Sequence, residues 1–509
     1  MAIDQQQLGQ AIYDLIFDSL TMAPAGSQPA MSAASTMLSL SLPGLPLDPA
    51  EFTNPWTPLN PGGNPVTAEN FAWLVDAVPE VSPVYTPNGS SIEALYGEIV
   101  QANTPTVAPP GPGPTPTPRP RPAPLPVPFP GPARPAAATS LVGGVAGRDL
   151  VDSRLRAIQL LSPNVRSAFG RLYTEGTVPM PRGGSLKTFI ETPALRTYLD
   201  RRMASDEAVT RYMAQLLQTN MTDPADKRRW AETSVGLAQQ VKSTAKAAED
   251  AGAAQIEEAM DVLAEGEGAG QNDSVAAIFQ AARLNFELSK LGSMLGPGNT
   301  WHMTLAQPQN WVTAQAAFVD VDLRTSRGLR INTASRFPQL GGRAALGSGL
   351  WEYSAQSKIQ RQSIASETVD IRVRFKFARV NIRRPWVDTS LFSLGGWALA
   401  GRRRNSLSTG SLTGNTGIFP LVPNSIIIAR DLEISASWSQ SDVSFIRERL
   451  DQQDLAFGPF ALAGRYHRPR ALSTTVANAS FDGVNITAPG LQAMGWTSKL
   501  VPACPPLDG

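Results

Sequence analysis

The sequence predicts an α+β protein of several domains, with N-terminal and central helical regions, a long helical hairpin and a C-terminal antiparallel β-sandwich. Apolar residues recur with a helical period up to about residue 295 and with a period of two after residue 300. Residues 105–135 include 15 prolines, so they can form neither a helix nor an interior strand. A chain of 509 residues is too long for one core, and about two to four domains are expected.

These changes divide the chain into four predicted segments. They are an N-terminal helical and extended segment, a proline-rich linker, a helical domain and a β-sandwich domain, spanning residues 1–103, 104–137, 138–298 and 299–509. The linker favours an extended polyproline II conformation and is predicted to act as a spacer. The string PGLPLDPAEFTNPW is too apolar to stay in water, which predicts that the first segment packs back onto the body.

Helical spacing of apolar residues predicts helices at residues 2–20, 67–78, 91–100, 149–161, 165–174 and 193–218. A longer helix is predicted to begin near Asp223 and end at about residue 264, followed by a partner helix at 274–295. Packed antiparallel, these two form the predicted αα-hairpin, at about 224–295. Gly252 lies inside the first of them, where a glycine costs about 1 kcal/mol of helix propensity relative to alanine.

Strict alternation of apolar and polar residues predicts strands in the C-terminal region. The run VDIRVRFKF at 369–377 is the clearest: its apolar residues face a core, and Arg372, Arg374 and Lys376 project from the other face about 6.6 Å apart. Strands are predicted at 317–324, 328–332, 368–382, 425–438, 457–463 and 481–487. Six strands without intervening long helices favour an antiparallel sandwich over a parallel sheet.

The two parts of the chain carry opposite charge. Residues 301–509 contain 23 lysines and arginines and 14 acidic residues, whereas residues 1–300 contain 21 and 29. A positive β region favours association with a protein partner or with an anionic surface, lipid or glycan. The opposite charges also favour pairing within the chain, and that alternative stays open. The sequence contains no specific nucleic-acid motif, and oligomerisation stays open.

Basic residues define the predicted binding surface. They lie on the alternating strand, before Pro385 and in the Gly/Ser-rich loop 394–417: Arg372, Arg374, Lys376, Arg383, Arg384, Arg402, Arg403 and Arg404. The spacing along the strand is comparable to that of successive phosphates on a polyanion. The alternative, which the alternation favours, is a solvated strand face partly neutralised by Asp370 or Glu433. A loop of this length in a compact β domain is usually functional or disordered.

Few residues have the chemistry of a metal or catalytic site. One cysteine, Cys504, and two histidines, His302 and His467, exclude a structural zinc site. Asp320 and Asp322 form a D-x-D pair and are weak candidates for a divalent cation, because an outward-facing polar position already explains each of them. No hydrolase, metalloprotease or phosphate-loop motif accompanies His467. We therefore expect no catalytic residue, no cofactor and no metal.

Several strings of the chain resemble the motifs of a group of uncharacterised bacterial proteins. They are NIRRPWVDTSLF at 381–392, PLVPNSIIIARDLEIS at 420–435, FGPFALAGRY at 457–466 and ITAPGLQAMGWTSKLVPACPP at 486–506. FTNPWTPLNPGG and ENFAWLVDAVP, nearer the N-terminus, are similar to motifs of the same group. The resemblance implies no activity, cofactor or catalytic residue for this chain.

These observations predict a non-enzymatic structural or interaction protein whose basic β domain binds a protein partner or an anionic surface. One alternative is a membrane-active, pore-forming or toxin-like protein that inserts its helical hairpin. Another is a carbohydrate-binding protein whose aromatic platform comes from the set Trp386, Trp397, Trp438 and Trp496, with Trp397 as the residue to test, although core packing is the commoner role of such residues. MAIDQQQLGQ has no signal-peptide pattern, so the expected location is cytoplasmic, with export by a route independent of a signal peptide as the alternative.

Overall fold

The computed structural model describes residues 5–101, 152–156, 158–159, 163–180, 184–265, 271–296, 298–314, 317–347, 349–355, 358–467 and 474–508. The predicted proline-rich spacer, 104–137, lies outside the described residues. Of the predicted helix at 149–161, the described parts 152–156 and 158–159 are helical.

The helices are α1 Gln5–Thr21, α2 Pro65–Leu74, α3 Ile92–Gln101, α4 Pro163–Leu172, α5 Pro193–Gln218, α6 Pro224–Asp250, α7 Ala253–Glu265, α8 Gln271–Leu288, α9 Arg336–Gln339, α10 Gly342–Leu346 and α11 Gln440–Asp451. The first strands are β1 Thr36–Pro46, β2 Ala77–Pro79, β3 Pro87–Ser91, β4 Tyr173–Pro179, β5 Ser185–Glu191, β6 Lys290–Gly292, β7 Thr300–His302, β8 Leu305–Gln307 and β9 Val319–Arg324. The later strands are β10 Trp351–Ala355, β11 Lys358–Gln362, β12 Val369–Arg383, β13 Leu421–Ser437, β14 Leu455–Phe457, β15 Phe460–His467, β16 Thr474–Asn478, β17 Ser480–Phe481, β18 Asn485–Ala488 and β19 Gln492–Leu500.

Three of these helices begin with the same local chemistry. A proline occupies the first position of α2, α5 and α6, where its missing N–H is no loss. The residue before it caps the helix: the side chains of Asn64, Thr192 and Asp223 accept hydrogen bonds from backbone N–H groups of the first turn. Helix α2 therefore begins two residues before its predicted start at Thr67, because Asn64 is the residue that caps it.

The largest sheet has eight strands, with the path β1-β19-β13-β12-β8. Its long central strands, β12 and β13, span 15 and 17 residues. β9 pairs with the first half of β12, and β8 pairs with its last residues. β18 pairs with the far end of β13, and β17 pairs with β18. These pairings are antiparallel, so the coarse prediction of an α+β protein with antiparallel sheets is confirmed.

A second sheet contains five strands in the order β11-β10-β14-β15-β16. One hydrophobic cluster includes buried residues of both sheets. The Phe375 ring of β12 lies 5.0 Å from the Phe460 ring of β15 in an edge-on arrangement, a favourable geometry for aromatic pairs. This shared cluster supports the β-sandwich, which stays a prediction.

The N-terminal segment packs on the rest of the chain. Strand β1 pairs with β19, from Thr36 opposite Lys499 to Pro46 opposite Gln492. Helix α1 contributes fully buried side chains, among them Ile12 and Ile16, to the cluster that the two sheets share. The same cluster contains residues of α5 and α6. One core therefore draws on three of the four predicted segments.

The structure does not confirm the predicted hairpin of 224–264 with 274–295. Gly252, with φ of +83°, separates α6 from α7, because its left-handed backbone ends the first helix. Helix α6 packs along α5, to which a short turn, 219–223, connects it, while α7 packs on α4 and α8 on α3. Trp230 of α6 contacts Tyr212 of α5 edge-on, at 5.2 Å between ring centroids. Helices joined by a short turn are neighbours in space, and here that neighbour is α5.

Two strand predictions need correction. Residues 328–332 form no strand and lead instead into the loop before α9. Val369, predicted to face the core, is 40% exposed. The register of β12 against β13 shifts just after it, where Asp370 adopts φ of +58°. Such an irregularity changes the face on which the following side chains lie, so the core alternation begins at Ile371.

Candidate functional site: cationic surfaces

The cations of β12 are paired with carboxylates on neighbouring strands. The Asp322 carboxylate of β9 accepts hydrogen bonds from Nε and Nη2 of Arg372, both at 2.7 Å. Arg324 donates to the same carboxylate from Nε at 3.2 Å and Nη2 at 2.9 Å. Burial alone would raise the pKa of Asp322, but hydrogen bonds and charges from the two arginines outweigh burial and hold that pKa well below its usual range. Asp322 therefore serves as the shared anion of two arginines.

Arg374 and Lys376 reach the opposite neighbour, β13. Arg374 forms an ion pair with Glu433, which lies directly across the ladder. The Nζ of Lys376 lies 3.1 Å from Oδ2 of Asp431, at an extra residue of β13 where φ is +54°. The predicted alternative, a strand face neutralised in part by Glu433, is the arrangement found.

Arg383 and Arg384 hold distant parts of the chain together. Arg383 forms an ion pair with both carboxylate oxygens of Glu191, the last residue of β5. Arg384 donates to the carbonyl oxygens of Val75 and Pro423, the latter at 2.5 Å. Burial of the guanidinium lowers the pKa of Arg384 to about 10. Both guanidinium groups are therefore occupied by partners within the chain, and both residues are half-buried rather than exposed.

The arginine triplet of the long loop is only partly available. Arg402 binds Glu98 of α3, with Nη2 2.7 Å from Oε1. The backbone N–H of Arg404 donates to the Asp508 carboxylate at 2.8 Å. Arg403 and Arg404 are exposed, and their side chains form no ion pair within the described residues. Two of the eight predicted cations are therefore exposed without an ion pair.

Trp397 lies in the interior rather than on a surface. Only 1% of it is exposed, its Nε1 donates to the Leu394 carbonyl at 2.9 Å, and its ring lies 5.2 Å from that of Phe279. A buried indole cannot stack on a sugar from solvent. The structure thus excludes Trp397 as a platform, and Trp386 and Trp496 are buried as well, whereas Trp438 is half-buried.

The two aspartates proposed as weak metal ligands and the two histidines do not form one site. Asp320 is exposed on β9, whereas Asp322 is bound by two arginines. His302 is buried, with Nδ1 3.1 Å from Oε1 of Glu93 and its ring stacked on Phe286, and His467 is exposed. Throughout the part of the chain that is described, no three His, Cys, Asp or Glu side chains form a group able to hold a metal ion.

A further set of basic residues lies on two segments, the first turns of α6 and the end of β9 with the loop after it, and these segments meet at Asp226. We call this set the cationic patch: Lys227, Arg228, Arg229, Arg324, Arg327 and Arg330. The first three lie on the first turns of α6, and the last three lie at the end of β9 and in the loop that follows it. The side chain of Arg229 is 62% exposed and that of Arg327 is 39% exposed. Lys227, Arg228 and Arg330 are exposed too.

Asp226 joins the two halves of the cationic patch. It is 6% exposed, forms an ion pair with Arg229, and has Oδ2 3.7 Å from Nη1 of Arg327. The carboxylates of Asp223, Asp226 and Asp322 lie among the six cations, and Asp322 also balances Arg372. Arg330 favours the ionised form of the Asp18 carboxylate of α1. In the described chain neither Lys227 nor Arg228 has an ion-pair partner, unlike the cations of β12.

The side-chain amide of Gln218 joins the end of α5 to the edge of β9. Gln218, the last residue of α5, donates to the Asp320 carbonyl at 3.2 Å and accepts from the Asp322 N–H at 2.6 Å. It thus satisfies the outer edge of β9 as a neighbouring strand would. The sequence contained two signals, the KRR run at 227–229 and arginines every third residue at 324–330. The sequence alone could not predict that these two runs lie close to each other, because their proximity depends on the contact between α5 and β9, which no local pattern specifies.

No protein-family model, curated protein or solved structure matches the chain. Among the described helices, none combines the length and the apolar character needed to cross a membrane.

Proposed function

We propose that this chain is a non-enzymatic interaction protein that binds an anionic partner through the cationic patch. The observation that carries the proposal is a pair of exposed cations, Lys227 and Arg228, that have no ion pair in the described chain. They lie on the first turns of α6, whose Asp226 contacts Arg327 of the loop after β9. Like charges held together raise the local positive potential and attract polyanions.

The position of these cations on α6 supports the proposal. The N-terminal end of a helix carries partial positive charge, so basic side chains in its first turns are electrostatically unfavourable for the fold. Asp223 and Asp226 offset part of this cost by capping the helix and by binding Arg229. Lys227 and Arg228 receive no such compensation, which fits side chains that serve a partner rather than the stability of the helix.

Retention on a heparin column at increasing salt tests the proposal, with the double variant Lys227→Gln, Arg228→Gln. We expect the variant to elute at clearly lower salt than the wild type, because fewer bound counterions are exchanged and exposed charges are screened beyond about 8 to 10 Å. The matched control is Arg374→Gln, Lys376→Gln, which removes the same charge from the paired face of β12 and should change elution little.

Two results would count against the proposal. If the wild type does not bind heparin even at low salt, the cationic patch is a solvated surface. If the β12 control loses retention and the α6 variant does not, the strand face is the site and the patch is not. A hydrolase or transferase activity of the purified protein that is lost on Asp320→Ala or His467→Ala would remove the non-enzymatic part.

A further inference from the structure

We infer that the anionic partner is the headgroup surface of a lipid bilayer, which the cationic patch contacts together with two exposed apolar side chains, Met221 and Val235. The inference rests on the function proposed above and names its partner. It concerns adsorption onto one face of a membrane, with the fold retained, and requires no segment that crosses the bilayer.

The two apolar side chains flank the cationic patch. Met221, in the turn between α5 and α6, is 43% exposed, and Val235 on α6 is 71% exposed, more than the other large apolar residues that are described. Val235 follows Arg228 by seven residues, or two helical turns, so both lie on the same face of α6, about 10 Å apart along its axis. This face of α6 thus presents a cationic and an apolar side chain to solvent.

This combination fits a lipid surface better than the other polyanions. Peripheral membrane proteins combine basic side chains, which attract anionic headgroups, with a few apolar side chains that enter the boundary between headgroups and acyl chains. Single-stranded nucleic acid is held by exposed aromatic rings on which bases stack, whereas Trp230, one residue after Arg229 on α6, packs edge-on against Tyr212. An acidic protein segment would use the cations and leave Met221 and Val235 without a role.

The known contribution of single side chains to membrane binding sets the loss of binding expected for each variant. A lysine or arginine close to an anionic leaflet contributes about five-fold to the partition coefficient at physiological ionic strength. Removing Lys227 and Arg228 should therefore weaken binding about 25-fold. Replacing an exposed apolar side chain that enters the interface should weaken it about three- to ten-fold.

Co-sedimentation of the full chain with vesicles tests the inference. The vesicles contain phosphatidylcholine alone or phosphatidylcholine mixed with phosphatidylserine, each at low and high salt. The variants are Lys227→Gln, Arg228→Gln for charge, and Met221→Ser, Val235→Ser for apolar contact. The matched control is Leu59→Ser, Val484→Ser, which changes two side chains that are 50% and 55% exposed elsewhere on the molecule.

We expect the wild type to bind the mixed vesicles, to release them at high salt and to ignore pure phosphatidylcholine. Both patch variants should bind more weakly, and the control should bind like the wild type. Retention on heparin without binding to mixed vesicles would overturn the lipid assignment and leave the proposed function standing. Failure to bind either probe would overturn both. Vesicle binding that ignores Met221→Ser, Val235→Ser would point to purely electrostatic attraction, and the apolar part of the inference would be wrong.

Discussion

At the scale of single residues, the Asp322 carboxylate shows why the cations of β12 are not free. It accepts from Arg372 and Arg324 on adjacent positions of the sheet, and its side chain is 36% exposed. Because the paired arginines favour the ionised form, the pKa of Asp322 is depressed in the folded protein. A depressed carboxylate pKa means that the pair stabilises the fold above the unfolded pKa, near 3.9, and that this stability is lost as pH falls through the folded pKa.

Asp322→Asn should therefore lower the free energy of unfolding by about 1 kcal/mol at pH 7, the scale of a partly exposed, doubly hydrogen-bonded ion pair after screening. The difference from the wild type should shrink below about pH 4, where the Asp322 carboxylate of the unfolded chain takes up a proton while that of the folded protein, with its depressed pKa, stays ionised. Urea unfolding at a series of pH values measures it. Asp320→Asn, an exposed neighbour on the same strand, serves as control and should stay within about 0.5 kcal/mol. An equal loss in both variants would show that the arginine contacts contribute nothing.

At the scale of secondary-structure elements, β12 shows how a local irregularity decides which face a residue occupies. Val373 is fully buried in the cluster that the two sheets share. Val369, four residues earlier, belongs to the same alternating series but is 40% exposed, because the register shifts between 369 and 372. Val369 and Val373 therefore differ in burial because of a register shift that the alternating sequence does not predict.

This difference provides a direct test. Val373→Ser should cost about 2 to 4 kcal/mol of unfolding free energy, because it leaves a cavity and buries a hydroxyl among apolar neighbours. Val369→Ser makes the same chemical change at the exposed position and should cost less than about 1 kcal/mol. Chemical denaturation of both variants gives the two values, and similar costs would mean that the alternation, rather than the register shift, describes the strand.

Other elements show what the sequence could and could not specify. The bounds of α5 were predicted correctly because Thr192 and Pro193 mark its start chemically. β19 was missed, since its residues Gln492 to Ser498 are all buried and lack alternation. The basic side chains of β12 were correctly placed on the outer face, but their partners Glu433 and Asp431 lie on another strand and depend on register. The cationic patch depends on the contact between α5 and β9, so local periodicity could not reveal it.

At the scale of the whole molecule, ion pairs connect the acidic and basic parts of the chain. Arg402 binds Glu98 of the first segment, and Arg383 binds Glu191 of the central one. Arg379 of β12 binds Asp206 of α5, with Nη2 2.7 Å from Oδ2 and only 8% and 13% of the side chains exposed. The opposite charges of the two parts, which the sequence left open between internal pairing and external partners, therefore serve internal pairing in part.

The Arg379–Asp206 pair tests whether the helical and β parts depend on each other. Asp206→Leu should cost about 3 kcal/mol, because it leaves the Arg379 guanidinium buried without its ion-pair partner. Arg379→Met should cost less, since Asp206 keeps its ion pair with Arg202 at 3.2 Å. The double variant should recover most of that loss, since an apolar pair needs no ionic compensation. Glu258→Ala, which breaks the exposed pair with Arg171, is the control and should change stability by less than about 0.5 kcal/mol. Urea unfolding followed by far-UV and near-UV circular dichroism measures all four, and single variants as stable as the control would show that this contact does not couple the two parts.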